Sequence, residues 1–272
     1  MANNTLVISD MHIDTPDLPD SVRIEEMLSN NPKYILIAGD LGNGSDLVSR
    51  FFKKALPVWK DQIVCYVAGN HDYYGCDFAR FPRVMEELEA QFPNFHFLNG
   101  TSNFLVLPDA KEPTVIIGNT LWTDMELYVQ DGSLQTLDDW GFRAMQYMNE
   151  FRYIMDNGKK FYAKGWIAKH QLDIANMRAA FAQFVGTHKI VAMTHHLPHA
   201  RSLDPIYVRY VLDHCYSSNI LGRDELLSKA AVWIHGHSHS RANYMEGNTR
   251  VLANPVGYCE HREEHLKLNL EL

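Results

Sequence analysis

The chain has 272 residues, of which 46% are hydrophobic and 21% are charged, and its formal net charge is −8. This balance is typical of a globular protein with a large apolar core, and the length fits one large domain or two small ones. The acidic charge, without a long basic run, gives no support for non-specific binding to nucleic acids or to membrane surfaces. It does not exclude a phosphate substrate, because bound cations would dominate the local field.

The apolar runs and the cysteines indicate the compartment. No apolar run approaches the roughly 20 residues that a membrane-spanning helix needs. The run at residues 5–8 is followed by polar residues, which is typical of a first strand and not of a signal peptide. The cysteines lie far apart and form no CxxC pair, so we expect no disulfide framework, no structural zinc site and a cytoplasmic protein. They are Cys65, Cys76, Cys215 and Cys259.

The first third of the chain alternates between apolar runs and helical stretches. The apolar runs, which are predicted to be buried strands, cover residues 6–8, 34–38 and 63–67. The helical stretches cover residues 21–29, with Ser21 as a candidate cap, 46–56 and 78–92. This alternation predicts parallel strands with helices on the faces of the sheet.

The rest of the chain is less regular. Short apolar runs at 95–98, 104–107 and 115–117 suggest a more antiparallel region and a second sheet. Further strands are predicted at 190–193, 231–234, 241–245, 250–253 and 266–270, and further helices at 166–185 and 224–228. No linker is evident, and we expect a single domain over residues 1–272.

Residues 119–165 form a long, polar and aromatic-rich segment, which we read as a partly helical insertion. Insertions at a strand edge often act as lids or substrate walls. The plainer interpretation is that the aromatic side chains bury the insertion against the rest of the protein.

Polar residues follow five of the predicted strands. Asp10 and His12 are two residues apart on extended backbone, so they point the same way and can reach one metal together. The complete set of strand-end candidates is Asp10, His12, Asp40, Asn70, His195, His237 and His239. Carboxylate, amide oxygen and imidazole ligands together suit manganese, iron or zinc. Seven ligands are about right for two ions that share a carboxylate, and ions ~3.5–4 Å apart form a clamp for in-line displacement at phosphorus.

This set resembles the calcineurin-like metallophosphoesterase family. The family pattern is D-x-H, then G-D, then G-N-H-D or G-N-H-E, then a strand-end histidine, then G-H-x-H. The corresponding residues are Asp10-Met11-His12, Gly39-Asp40, Gly69-Asn70-His71-Asp72, His195 and Gly236-His237-Ser238-His239. The resemblance spans residues 6 to about 258. It implies an α/β fold, a four-layer αββα sandwich in which two mixed β-sheets are flanked by helices.

The resemblance also implies a role for each residue of the motifs. One metal would be held by Asp10, His12 and His239, the other by Asn70, His195 and His237, and Asp40 would bridge them. A bridging hydroxide would attack the phosphorus. His71 would act as the general acid or stabilise the transition state, and Asp72 would either orient His71 or cap a turn.

The loop after the fourth motif adds candidates for substrate binding. Because the family ligand is usually the first histidine after the strand, we assign His195 as the ligand rather than His196. His196 then either touches substrate or is a hydrogen-bonded neighbour. His199 and Arg201 either bind phosphate oxygens or belong to a solvated loop.

The second motif narrows the substrate classes. It reads Gly39-Asp40-Leu41-Gly42-Asn43-Gly44 and lacks the Asp-Arg pair of the G-D-x-x-D-R-G motif, found in protein serine/threonine phosphatases and dinucleotide hydrolases. The acidic charge and modest length weigh against a double-strand-break nuclease. We therefore expect a hydrolase with two divalent ions that acts on small phosphomonoesters or phosphodiesters.

A non-catalytic metal-binding scaffold of the same fold is the alternative function. Such scaffolds usually lose metal ligands or the equivalent of His71, whereas this chain has all of them. A zinc peptidase is not expected, because the chain has no H-E-x-x-H motif.

Overall fold

The computed structural model of the protein describes residues 4–15, 20–99, 102–108, 110–127, 137–204, 212–257 and 269–271. The strands are β1 Asn4–Ile8, β2 Tyr34–Ala38, β3 Ile63–Val67, β4 Phe95–Phe97, β5 Phe104–Val106, β6 Thr114–Asn119, β7 Met155–Asp156, β8 Lys159–Lys160, β9 Lys189–Thr194, β10 Val232–His235, β11 Ala242–Glu246, β12 Thr249–Ala253 and β13 Asn269–Glu271. The α-helices are α1 Asp20–Glu26, α2 Ser45–Val58, α3 Arg80–Gln91, α4 Leu137–Tyr147, α5 Glu150–Tyr153, α6 Ala163–Phe184, α7 Asp213–Tyr216 and α8 Ile220–Arg223. None of the helices in the described part of the chain is both long and apolar enough to cross a membrane.

The first sheet contains the strands of the first third of the chain, in the order β13-β1-β2-β3-β4. Strands β1 to β3 run parallel, as the alternation of strands and helices predicts, and β13 pairs antiparallel with β1. The strand predicted at residues 95–98 forms, but the prediction of its neighbouring strands was wrong. Strand β4 pairs in parallel with β3 and does not join the second sheet. Helix α3 carries the chain back across the face of the first sheet, so β4 extends that sheet.

The second sheet has the order β11-β12-β10-β9-β6-β5. Its inner strands are parallel, whereas β5 and β11 pair antiparallel at the two edges. Both sheets are therefore mixed. Strands β7 and β8 form a separate two-stranded hairpin.

The core divides into layers. The facing sides of the two sheets share one cluster, in which Leu36 and Val67 meet Val191 and Ile234. The outer side of the first sheet packs against α2 and α3, and the outer side of the second sheet packs against α6. The predicted four-layer αββα sandwich is thus confirmed.

The helix predicted over residues 224–228 does not form. Instead of a helix over 224–228, the chain forms α8, which ends before Asp224, and then a 3₁₀ turn at Leu227–Lys229. The Asp224 carboxylate accepts hydrogen bonds from the backbone N–H groups of Leu226 and Leu227, at 3.0 and 3.1 Å. Asp224 therefore starts a new turn where the sequence pattern suggests a continuous helix.

Between β6 and α6 lie helices α4 and α5 and the hairpin of β7 and β8. Residues 128–136, with Tyr128, lie outside the described residues. Four aromatic side chains of this segment are buried, namely Trp122, Trp140, Phe151 and Phe161. Four others are 52–62% exposed, namely Phe142, Tyr147, Tyr153 and Tyr162. The segment is therefore anchored by aromatic packing and also presents aromatic rings to solvent.

Candidate metal centre

The carboxyl ends of the parallel strands bring the candidate ligands to one edge of the sandwich. Asp10, Asp40 and Asn70 follow β1, β2 and β3 of the first sheet, and His195 and His237 follow β9 and β10 of the second. The backbone N–H of His237 donates to Asp10 Oδ1 at 3.0 Å, which joins the two sheets at this edge. Ligands of open α/β sheets bind at this edge.

One group of candidate ligands consists of Asp10, His12, Asp40 and His239, which offer ligand atoms within 4.8 Å of one another. The Nε2 atoms of His12 and His239 lie 3.1 Å apart. His239 Nε2 lies 3.5 Å from Asp10 Oδ1, and His12 Nε2 lies 4.0 Å from Asp40 Oδ2. Bonds of about 2.0–2.2 Å to a shared cation place neighbouring ligand atoms at about these separations. This group is able to hold a metal ion.

The second group consists of Asp40, His195 and His237, also within 4.8 Å of one another. His195 Nε2 lies 3.4 Å from Asp40 Oδ2 and 2.9 Å from Asn70 Oδ1. His195 Nδ1 donates to the Ala38 carbonyl at 2.9 Å, which leaves Nε2 for the cluster. His237 Nε2 is buried without a hydrogen-bond partner among the described residues. A buried ring nitrogen of this kind fits a metal ligand, since an unsatisfied polar atom is otherwise costly.

The backbone is strained at five of the seven predicted ligands. Asp10, His12, Asp40, His237 and His239 have φ angles of 52°, 40°, 52°, 70° and 52°. This left-handed region is uncommon for residues other than glycine, and occupying it costs on the order of 1–3 kcal/mol per residue. Strain of this kind clusters at functional sites, where the surrounding fold holds side chains in a required direction.

The protonation states at the centre favour cation binding at most positions. Burial opposes ionisation of Asp40, but the nearby His195 and His71 hold its pKa well below the usual range. Burial lowers the pKa values of His12 and His237 and keeps their rings neutral. Although burial opposes it, Asp40 raises the pKa of His195 to about 9, so metal binding at this ring releases a proton and depends on pH.

Asp72 holds the loops that carry the ligands. Its carboxylate accepts four backbone hydrogen bonds, from Asp40 at 2.9 Å, Leu41 at 3.0 Å, Gly42 at 3.2 Å and Gly69 at 2.7 Å. These contacts are those of the turn cap, one of the two roles left open by the sequence. The backbone at Gly69 passes so close that an added Cβ would overlap the Asp40 side chain.

We expect Asp72→Ala to lower the free energy of unfolding by at least about 3 kcal/mol, because buried N–H groups would lose their acceptor. The measurement is urea denaturation in the presence of a chelator, which removes any contribution from bound metal. Asp72→Asn retains one acceptor oxygen and should lie between the wild type and Asp72→Ala. A variant with wild-type stability but impaired hydrolysis would instead indicate that Asp72 orients His71.

His71 is oriented by residues that the sequence did not single out. Its Nδ1 lies 3.0 Å from Asn43 Oδ1, and its ring stacks on Tyr74 with the ring centroids 4.3 Å apart. Asn43 occupies the place of the second aspartate in the G-D-x-x-D-R-G motif. This departure from the motif was the one feature of the sequence that could have drawn attention to Asn43. His71 also lines a cavity of about 640 Å³ beside the candidate ligands, together with Tyr74 and Tyr147.

Glu150, on α5, is a further residue of the site that the sequence did not indicate. It lines the same cavity, and its Oε1 accepts hydrogen bonds from Asn70 Nδ2 at 2.6 Å and from Tyr74 Oη at 3.0 Å. Glu150 belongs to the aromatic-rich segment and lies 80 positions from Asn70. No motif of the sequence links two such positions.

The predicted substrate-binding residues lie elsewhere. His196 is fully buried behind the ligands, with Nδ1 3.2 Å from the Thr120 carbonyl and its ring against Trp122. The His199 ring accepts from the backbone N–H of Arg201. The Arg201 side chain donates to Glu246 at 2.8 Å. None of the three is among the described residues that line the cavity, and His196 Nε2 is buried without a hydrogen-bond partner among the described residues. The assignment of the three to substrate binding stays a prediction.

Comparisons with known proteins identify the family of the chain. Residues 4–241 match the family described as calcineurin-like phosphoesterases. Phosphopantetheinyl hydrolase from Mycobacterium tuberculosis is similar in structure, with 16% identity and a TM-score of 0.74 over 100% of this chain and 97% of that chain. A dimetal phosphatase from Danio rerio has 12% identity and a TM-score of 0.53 over 93% of this chain and 87% of that chain. No curated protein matched the chain. Since the family match covers most of its length, the chain belongs to the calcineurin-like phosphoesterases.

Proposed function

We propose that this protein is a dinuclear metal-dependent phosphoesterase that hydrolyses monoesters or diesters of small molecules. The observation that carries the proposal is that Asp40 belongs to both groups of candidate ligands. A carboxylate shared in this way is what two neighbouring cations require. The strained backbone at five of the ligand positions supports the same conclusion.

The proposed ligands divide between the two ions as the sequence motifs suggest. As the family resemblance implies, Asp10, His12 and His239 would hold one ion, Asn70, His195 and His237 would hold the other, and Asp40, which belongs to both ligand groups, would serve both ions. Divalent manganese, iron or zinc ions bound here would supply positive charge at the phosphoryl oxygens and a nucleophile derived from water.

His71 is the proposed general acid. It lines the cavity, and the stacked ring of Tyr74 and the Asn43 side chain support it from behind. With Asn43 Oδ1 accepting from Nδ1, His71 Nε2 is the atom that carries the proton to the leaving oxygen. Asp72 acts indirectly, as a positioning residue for the loops.

The test is a substrate panel with manganese, zinc and iron. It contains cyclic nucleotides, nucleoside diphosphates, glycerophosphodiesters, sugar phosphates and a phosphopantetheinyl ester, the last because of the structural likeness described above. We expect metal-stimulated hydrolysis of at least one ester of the panel. If added metal stimulates hydrolysis of none of the esters, the result would favour the non-catalytic scaffold.

We expect two metal ions per chain in protein purified without chelator. The physical reason is that each of the two ligand groups provides at least three donor atoms, one of which comes from the shared Asp40. Elemental analysis against protein concentration measures the ratio. A ratio near one that added manganese does not raise would contradict the dinuclear centre.

We also propose that the chain is a single phosphoesterase domain in which residues 119–165 are an insertion beside the metal centre. Support comes from one apolar cluster that contains both Phe151 and Phe161 of the insertion and Ile37 of the first sheet. A reducing compartment such as the cytoplasm is proposed as well, since Cys65 and Cys215 are buried free thiols.

A further inference from the structure

Glu150 places a carboxylate behind one of the proposed metal ligands. The residue is 1% exposed, and its Oε1 lies 2.6 Å from Asn70 Nδ2. On the other side of the same amide, Asn70 Oδ1 lies 2.9 Å from His195 Nε2 and faces the second group of ligands. We propose that Glu150 is a positioning residue that fixes the Asn70 amide with its oxygen toward the metal, so that the insertion completes the centre.

The chemistry of the amide explains why an acceptor is needed at this position. An asparagine side chain has an oxygen that can bind a cation and an NH₂ group that cannot, and the two are nearly equal in size. If the amide turned over, its oxygen would face the Glu150 carboxylate and its NH₂ group would face the ligand cluster. A hydrogen-bond acceptor on the NH₂ side therefore selects the orientation that binds metal.

The same carboxylate oxygen supports the proposed general acid. Glu150 Oε1 also accepts from Tyr74 Oη at 3.0 Å, and the Tyr74 ring stacks on His71. Glu150 thus contacts both Asn70, a proposed ligand of the second ion, and Tyr74, whose ring supports His71. Loss of Glu150 should affect metal binding through Asn70 and proton transfer through Tyr74.

Stability alone does not explain a carboxylate at this position. Glu150 is buried, and burial of a carboxyl group costs solvation. Its Oε2 is buried without a hydrogen-bond partner among the described residues. A buried carboxyl oxygen without a hydrogen-bond partner is expensive, and an apolar side chain would be cheaper for the fold. The hydrogen bond that orients the Asn70 amide accounts for a carboxylate at this position.

The first experiment measures Mn²⁺ affinity of the metal-free protein by calorimetry, and it rests on the proposed role of Asn70 as a ligand. Glu150→Ala should weaken one Mn²⁺ site by about 10–100-fold. Combined with Asn70→Ala, it should cause little further loss, because a positioning residue has no effect once its target is removed. Arg152→Ala is the matched control, since Arg152 is an exposed residue of α5 whose side chain donates to the Gln146 carbonyl.

The second experiment exchanges donor and acceptor. Asn70→Asp would set a carboxylate oxygen against Glu150 in place of the NH₂ group and should weaken Mn²⁺ binding. Adding Glu150→Gln supplies an NH₂ donor to that carboxylate and should restore most of the affinity. A merely structural role for Glu150 predicts no such rescue. Thermal unfolding in chelator checks that each variant is folded.

The outcomes separate this inference from the proposed function. Wild-type Mn²⁺ affinity in Glu150→Ala, or losses in Glu150→Ala and Asn70→Ala that add fully, would overturn the positioning role alone. Wild-type affinity in Asn70→Ala would show that Asn70 is not a ligand, and would overturn the ligand assignment together with the inference. Coupled losses and rescue by the exchanged pair would support both.

Discussion

Asp40→Ala is expected to reduce phosphoester hydrolysis by at least about 10³-fold, or about 4 kcal/mol in the activation barrier. Asp40 is the residue common to both candidate ligand groups, and its low pKa keeps it negatively charged. Without it, two cations would face each other with less compensating charge, and at least one of them should be lost. Hydrolysis rate and bound metal, measured on the same preparation, check the prediction.

The comparison with Asn70→Ala makes the prediction specific. Asn70 provides a neutral ligand that a water molecule can replace, so its loss should be milder than the loss of Asp40. Thermal stability in metal-replete buffer should fall for Asp40→Ala, because metal bound only to the folded state stabilises it. Asp46→Ala is a suitable control, since Asp46 forms an exposed ion pair with Arg80. Equal activity of Asp40→Ala and Asn70→Ala would contradict the bridging role.

His71→Ala is expected to reduce hydrolysis of alkyl esters by about 10²–10⁴-fold, with a much smaller effect on nitrophenyl esters. An alkoxide leaving group needs a proton as it departs, whereas nitrophenolate departs without one. Metal content should stay near the wild-type ratio, because His71 is not a proposed ligand. Rates on both kinds of ester and elemental analysis of one preparation provide the measurement.

The alternative for His71 is that it only packs beside the site. It contacts His12 edge to face, with the ring centroids 4.8 Å apart, and its backbone N–H donates to Asp40 at 2.9 Å. A packing role predicts equal losses on both kinds of ester together with depleted metal. His188→Ala, at a partly exposed ring outside the site, should leave both rates unchanged.

The proposed ligands could be placed together at one edge of the sheets because the position of each depends on local sequence. A buried parallel strand such as β2 is a continuous apolar run, and the polar residues that follow it must lie at the carboxyl edge. The sequence therefore indicated Asp40, His195 and their counterparts without knowledge of the tertiary structure. The left-handed backbone at Asp40 was not indicated, since such conformations usually go with glycine.

What the sequence did not show depends on contacts between distant positions. The pairing of β4 with β3 follows from the path of α3 across the sheet, and the apolar pattern of residues 95–98 carries no information about the neighbouring strand. The Glu150–Asn70 hydrogen bond joins the insertion to the G-N-H-D motif, and neither stretch of sequence predicts a contact with the other. In the sequence, Asn43 stood out only as a departure from the G-D-x-x-D-R-G motif. Its contact with His71 is evident only in the structure.

The most direct test of the dinuclear phosphoesterase is a titration of metal-free protein with Mn²⁺, in which bound metal and hydrolysis of bis-p-nitrophenyl phosphate and p-nitrophenyl phosphate are measured together. We predict that hydrolysis is absent in chelator and rises with the second equivalent of bound Mn²⁺ on at least one of the two esters. Hydrolysis that persists undiminished in chelator, or that reaches its maximum with one ion bound, would contradict the account. Two bound ions without hydrolysis of either ester or of the substrate panel would contradict it equally.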